Sequence, residues 1–171
     1  PTYNGKTSLT KMPYPRQSDD FYHASKINDS NYIHVACKNW GLKVTEIMQS
    51  TIFGISTKLT NFDGMLTRFD YDELFGTVVN RFITQAVLGH KLTVYGTGKQ
   101  RTGLMNLEDS VNSMASLIMK NTEKGHNIIN HVTEKSFSIN EIAEKISKAA
   151  KKSNINTIEA NYSFDPRKET I

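Results

Sequence analysis

The sequence predicts an α/β protein organised around a parallel sheet, and three observations carry that prediction. A long helical segment stops at a glycine and leads straight into residues 44–53, an apolar, β-branched run with little polar alternation. Such a run is expected of a strand covered on both faces. The same order recurs, with a helical segment over 70–88 followed by the short apolar strand Leu92–Tyr95. A further helix, opened by Ser138 and Glu141 in capping-box spacing, precedes a last candidate strand at 155–162. Helices alternating with buried strands are the repeating unit of a parallel sheet, whose connections cross over through helices.

Residues 1–17 are polar, carry prolines at 13 and 15, and read as a surface loop. Ser18-Asp19-Asp20 supplies a capping group and first-turn acids, so a helix is expected to run to Trp40 and stop at Gly41. Phe21, Ala24, Ile27, Ile33, Val35 and Ala36 are its candidate buried stripe. After the strand over 44–53, a polar loop over a site is expected from Gly54 to Arg68. The helix over 70–88 stops at Gly89, and Gly96-Thr97-Gly98 turns the chain after Leu92–Tyr95. Residues 108–121 form another helix, with Val111, Met114, Ala115 and Ile118 on one face, and 127–132 a short strand. Ile142, Ala143, Ile146 and Ala149 give the helix opened at Ser138 its apolar side.

Composition narrows the function. The 171 residues are 37% hydrophobic and 22% charged, enough to bury ~70% of the unfolded surface in a real core. A net charge of +4 is spread along the chain, and its densest group, Lys145, Lys148, Lys151 and Lys152, falls where cations favour a helix end. That pattern suits a small anionic ligand and does not call for nucleic acid. Cys37 is the single cysteine, which excludes an internal disulfide and fits a reducing, cytoplasmic setting. No apolar run reaches the ~20 residues of a membrane span. The five histidines show no paired ligand spacing, and Asp70, Asp72 and Glu73 lack the rest of a calcium loop, so no metal is expected. Gly96-Thr97-Gly98-Lys99 is followed by Gln100, which excludes a phosphate-binding P-loop.

The segment that carries chemistry is Tyr22-His23-Ala24-Ser25-Lys26. Four residues apart on a helix, Tyr22 and Lys26 project from one face. A free phenol titrates near pH ~10, and an adjacent ammonium favours the phenolate, so the pair is equipped to take a proton from a hydroxyl at neutral pH. On spacing alone, a solvated helix face accounts for the two residues equally well. Their placement on a helix leading into a buried strand favours the chemical reading, because sites in open α/β sheets gather at the strands' carboxyl ends. Gln49, Ser50 and Thr51 form a polar cluster within the apolar run 44–53; a capped strand end is the alternative.

With these residues the chain resembles the extended short-chain dehydrogenase/reductase family of NAD-dependent epimerases and dehydratases. Within it, the chain is most similar to the branch that makes UDP-sulfoquinovose. The resemblance runs through Asn4-Gly5-Lys6-Thr7, Pro13-Tyr14-Pro15-Arg16-Gln17, Phe21-Tyr22-His23-Ala24-Ser25-Lys26 and Cys37-Lys38-Asn39-Trp40-Gly41. It continues through Asp70-Tyr71-Asp72, the run from Phe75 to Phe82, Leu92-Thr93-Val94-Tyr95-Gly96 and Phe137-Ser138-Ile139-Asn140-Glu141. The Tyr/Lys pair and the Tyr-Gly turn are general to the family; the Pro-Tyr-Pro approach and the Asp-Tyr-Asp to Asn-Arg-Phe run are specific to the branch.

The resemblance implies the C-terminal part of a Rossmann-like, doubly wound parallel sheet plus a smaller α/β substrate-binding domain. Residues 1–56, joined by about 104–133, would complete an NAD-binding domain, and 57–103 with 134–171 would bind the nucleotide sugar. It implies NAD-dependent conversion of UDP-glucose and sulfite to UDP-sulfoquinovose, with a UDP-sugar 4-epimerase or 4,6-dehydratase as the second reading and a non-catalytic truncated binding module as the third. Tyr22 would be the base. Lys26 would lower its pKa and hold the nicotinamide ribose, with Gln49 and Ser50 facing the nicotinamide. Gln49, Thr51, Asn80, Thr93, Tyr95, Arg101 and Arg167 would contact the UDP-sugar, the two arginines at the diphosphate. Thr93 and Tyr95 serve equally well as ordinary strand residues. After the glycine turn the family places its arginine one residue later; here Gln100-Arg101-Thr102-Gly103 moves it, which in an extended segment turns it to the other face. A homodimer is usual in the family. The glycine-rich pyrophosphate turn and the family's catalytic Ser/Thr are expected upstream of residue 1, the chain reading as an internal segment. The segment alone is therefore expected neither to turn over nor to bind NAD tightly.

Overall fold

The computed structural model describes residues 2, 3, 6, 7, 15–18, 20–62, 64–72, 75–120, 125–153, 155 and 160–163. It divides into two compact units: residues 1–46 with 121–129, and residues 47–120 with 130–171.

In the first unit, β1 (Thr2–Tyr3) and β2 (Lys6–Thr7) pair antiparallel. The expected surface loop thus holds a short hairpin. Helix α1 (Phe21–Trp40) has no acid in its first turn: Asp20 is itself the cap, its carboxylate accepting the His23 N–H at 2.7 Å, and the helix ends where expected, at Gly41 with φ 66°. That left-handed conformation is open to glycine without a Cβ penalty. The expected buried stripe is corrected. Phe21 and Val35 are exposed, and the two buried residues of α1 are Ser30 and Cys37, with Ala24, Ile27, Ile33 and Ala36 half-buried beside them. A serine replaces an apolar residue at the centre of the packed side because a carboxylate on the neighbouring strand receives its hydroxyl.

The apolar run 44–53 is two strands rather than one: β3 (Lys43–Gln49) and β4 (Thr51–Phe53). They are separated at Ser50, whose N–H donates to the His131 carbonyl at 3.0 Å. The second helix is also corrected. It begins at Val78, not at 70, and forms α2 (Val78–Val87) with Thr77 as its cap. Gly76 explains the delay: its Cα lies so close to the Asp72 and Tyr71 backbone that no Cβ fits, and the chain turns there before the helix can start. Strand β5 (Leu92–Tyr95) has the expected bounds, whereas β6 (Arg101–Asn106) is an additional strand within the segment between the glycine turn and the next helix. Helix α3 (Leu107–Met119) is rotated from the expected face: Ser110 is buried, Met114 and Leu117 are half-buried, and Val111 and Ile118 are exposed. Then come β7 (Gly125–His131), the short β8 (Ser136–Ser138), α4 (Ile139–Lys152) and β9 (Ala160–Ser163).

Among the described residues, β3 pairs with β7, β4 runs parallel to β6, β6 antiparallel to β8, and β5 parallel to β9. The core of the second unit gathers Val79, Phe82 and Ala86 of α2, Leu92 and Val94 of β5, and Ile139, Ile142, Ala143 and Ala150 of α4. Each set follows its element's period: three or four residues on the helices, two on the strand. The capping box at the start of α4 is closed, with Glu141 N–H donating to Ser138 Oγ and Ser138 N–H to Glu141 Oε2 at 2.6 Å.

Candidate active site

On the first turn and a half of α1, Tyr22 and Lys26 stand side by side in solvent. The Lys26 ammonium lies 5.5 Å from the Tyr22 ring centroid and 3.7 Å from an Asp29 carboxylate oxygen. Tyr22 is 67% exposed, and its ring meets His23 edge-on at 5.4 Å. The phenol is therefore free to reach a ligand, with a cation one turn away. Asp20 holds the start of this helix: it accepts the His23 N–H and pairs with the His23 ring at 2.6 Å. The hydrogen bond from the His23 backbone N–H, then that from its ring, keep the Asp20 carboxyl below its ordinary pKa.

In the second unit, Gln49 ends β3, and its amide is held. Nε2 donates to Ser110 Oγ at 2.6 Å and lies 3.3 Å from His131 Nδ1. Ser110 and His131 are both buried. An amide nitrogen has only protons to offer, so His131 Nδ1 must be the acceptor and its Nε2 carries the ring proton. Ser110 and His131 were missed by sequence reasoning. The only signal was polarity out of place, a serine at the packed centre of α3 and a histidine closing β7. Next to Gln49, the Ser50 hydroxyl is buried and has no hydrogen-bond partner among the described residues. Gly103 faces it, and a Cβ there would come within 3.3 Å of the Ser50 Cβ. An unsatisfied buried hydroxyl is costly, so this one marks a place where a polar group from a ligand would be favoured.

The remaining predicted contacts are engaged within the protein. Asn80 Nδ2 donates to the Asp70 carbonyl at 2.9 Å and so ties down the turn before α2. Gln85 clasps Thr93, accepting its N–H at 2.9 Å and donating to its hydroxyl at 3.1 Å, while Arg81 donates to the Thr93 carbonyl at 3.1 Å. The same Arg81 guanidinium sits 4.1 Å from the Tyr95 ring centroid. Thr51 is half-buried and paired with Leu104. Arg101 lies opposite Ser138 on β6, with its guanidinium on the Ser136 hydroxyl and carbonyl and 3.3 Å from Glu141. Arg167 lies outside the described residues. Among the described residues no group of three His, Cys, Asp or Glu is placed to hold a metal, and no helix is long and apolar enough to cross a membrane.

No protein-family model matches the chain. It is 39% identical over 157 residues to the chloroplastic UDP-sulfoquinovose synthase of Spinacia oleracea, covering 91% of this chain and 32% of that protein. It is 36% identical over 166 residues to the UDP-sulfoquinovose synthase of Sulfolobus acidocaldarius, covering 97% of this chain and 42% of that protein. Among solved structures, the UDP-glucuronic acid 4-epimerase of Bacillus cereus, in complex with UDP-glucuronic acid and NAD, superposes with a TM-score of 0.68. The identity there is 16%, over 94% of this chain and 45% of the epimerase. The chain thus spans about a third to two fifths of the length of the curated relatives it matches. By sequence it is a relative of the UDP-sulfoquinovose synthases, and its α/β architecture is similar to the Rossmann-like fold of the nucleotide-sugar epimerases and dehydratases.

Proposed function

We propose that this chain carries the catalytic Tyr/Lys pair and the sugar-binding region of an NAD-dependent enzyme converting UDP-glucose and sulfite to UDP-sulfoquinovose. The observation that carries the reading is the similarity, at 36–39% identity along more than nine tenths of the chain, to a plant and an archaeal enzyme of that name. The geometry of Tyr22 and Lys26 supports it. Residues 1–56 with about 104–133 would belong to the NAD-binding domain and 57–103 with 134–171 to the sugar-binding one. The protein would work as a homodimer in the cytoplasm.

The Tyr22 phenolate takes the proton of the glucose 4-hydroxyl, and Lys26 favours that phenolate and hydrogen-bonds the nicotinamide ribose. Bound NAD supplies reversible hydride transfer at C4. The resulting 4-ketone acidifies C5, the C5 proton and the C6 hydroxyl leave as water, and sulfite adds at C6 of the 5,6-ene as a proton returns to C5. Tyr22 then returns a proton as C4 is reduced. Gln49, held by Ser110 and His131, presents its remaining amide oxygen, and Ser50 offers its unpartnered hydroxyl to the nicotinamide. Thr51 contacts the sugar, and Asn80 acts beside the turn it holds. Thr93 and Tyr95 border the uracil, fixed by Gln85 and Arg81. Arg101 and Arg167 take the diphosphate, Arg101 exchanging Ser136 and Glu141 for phosphate oxygens.

The test is to supply the natural gene product with UDP-glucose, NAD and radiolabelled sulfite. Label in the nucleotide-sugar product is expected. A sulfur-free epimer or 4-keto-6-deoxy sugar would transfer the chain to the epimerase/dehydratase reading. No consumption of UDP-glucose at all would leave a non-catalytic binding module.

A further inference from the structure

An i, i+4 row along α1 carries Tyr22, Lys26, Ser30 and His34. The first two members are exposed, and the third is 6% exposed and polar. A serine in mid-helix ordinarily returns its hydroxyl to the carbonyl one turn back. Ser30 Oγ does lie 3.2 Å from the Lys26 carbonyl, but it makes a closer contact with Glu46 Oε1. The hydroxyl has one proton, and a carboxylate is the stronger acceptor. The other oxygen of Glu46 meets His126 Nε2 at 2.6 Å, with side chains 15% and 8% exposed, and the His34 ring stands 6.2 Å from that of His126.

Stability does not account for this arrangement. Taking a carboxylate and an imidazole out of water costs free energy that their attraction only partly offsets, and well-packed apolar residues commonly do as well or better. Directional bonds to a charged group on a strand do something apolar packing does not: they fix one rotation and one height of the helix. We propose that Glu46, held by His126, is a positioning residue for the Tyr22/Lys26 pair. It acts through the Ser30 hydroxyl on the turn of α1 that carries Lys26. This inference rests on the Tyr22/Lys26 chemistry proposed above.

The experiment follows, by stopped flow, the transient reduction of bound NAD when the natural protein meets UDP-glucose, a first hydride transfer common to the sulfoquinovose and epimerase readings. Ser30→Ala and Glu46→Gln are each expected to lower the maximal rate roughly tenfold, short of the ~100-fold that misplacement by 1 Å costs, with KM for UDP-glucose within about twofold. The double variant should lose no more than either single one, because both break one connection. An unchanged maximal rate in Ser30→Ala overturns the proposal, as do losses that simply follow the melting temperature or add up in the double variant. Should Glu46→Gln fail to fold, Ser30→Ala decides alone, since alanine favours a helix and its loss of rate cannot be read as loss of α1. Tyr22→Phe separates the two readings. If it too keeps full rate, the assignment of the Tyr/Lys chemistry is at fault; if it loses the rate while Ser30→Ala keeps it, only the positioning role falls.

Discussion

Helix α1 and helix α4 are built on opposite terms. In α4, fourteen residues bury Ile139, Ile142, Ala143 and Ala150 against α2 and β5. In α1, twenty residues bury one serine and one cysteine, while Phe21, Tyr22, Tyr32 and Trp40 face outward. One helix is held by a fully buried apolar side, whereas the other combines half-buried apolar side chains with directional bonds at Asp20 and Ser30. The difference separates stability from chemistry: a side chain that must touch a ligand cannot also be packed into a core. Tyr22→Phe tests this most sharply. Removing the hydroxyl should lower turnover by ~10²–10⁴-fold in the natural enzyme, the usual worth of a positioned acid–base group, and leave the melting curve in place. A fall in melting temperature of several degrees would show that the exposed phenol also supports the fold.

Phe82→Ala should have the reverse signature. Phe82 is fully buried between α4 and β5, so truncation leaves a cavity and is expected to cost ~3–5 kcal/mol by chemical denaturation. Any variant protein that remains folded should keep the Tyr22/Lys26 chemistry. Were its loss below ~1 kcal/mol, the α2–β5–α4 cluster would not be the core that it looks to be.

The same contrast explains what the sequence made legible. The core of the second unit could be read because burial writes a period: Ile142, Ala143 and Ile146 recur at helical spacing and Leu92 and Val94 alternate, although Ala149, expected with them, is exposed and Ala150 is buried instead. Caps were legible for the same local reason, and Asp20, Gly41 and the Ser138–Glu141 box stand where their chemistry puts them. What failed to show was non-local. Nothing near Ser30 or Ser110 signals that Glu46 or Gln49 will reach them from another element, and so the packed sides of α1 and α3 were misplaced. The late start of α2 turns on a close backbone approach at Gly76, which is visible only once the turn has formed. Tyr22 and Lys26 could be named from spacing and resemblance, yet the groups that hold their helix could not.

Ser138→Ala should have a smaller effect, about 1 kcal/mol, because it removes one cap from a helix that the core already holds. Its effect should appear in the equilibrium stability of the second unit and spare α1. Hydrogen exchange that sped up equally in both helices would argue against treating their supports as separate.

Acid should produce the smallest effect, and it should divide the two helices. Glu141 is kept below its ordinary pKa, first by the Ser138 backbone N–H, and Asp20 likewise, first by the His23 backbone N–H. A carboxyl whose pKa is lower in the folded chain adds stability above its unfolded value of about 4 and loses it as pH falls through the folded value. Both caps therefore weaken in the same direction, below about pH 4. In α4 the core continues to hold the first turn, through Ile139 and Ile142, so protection of the Ser138 amide, which donates to the Glu141 carboxylate, should fall only slightly. In α1 the first turn carries exposed Phe21 and Tyr22 and, among the described residues, no buried side chain, so the His23 amide should lose protection earlier and more fully. Amide exchange followed by NMR from neutral to acid pH reads both at once. Equal loss at the two amides would mean that the first turn of α1 is held by more than its cap.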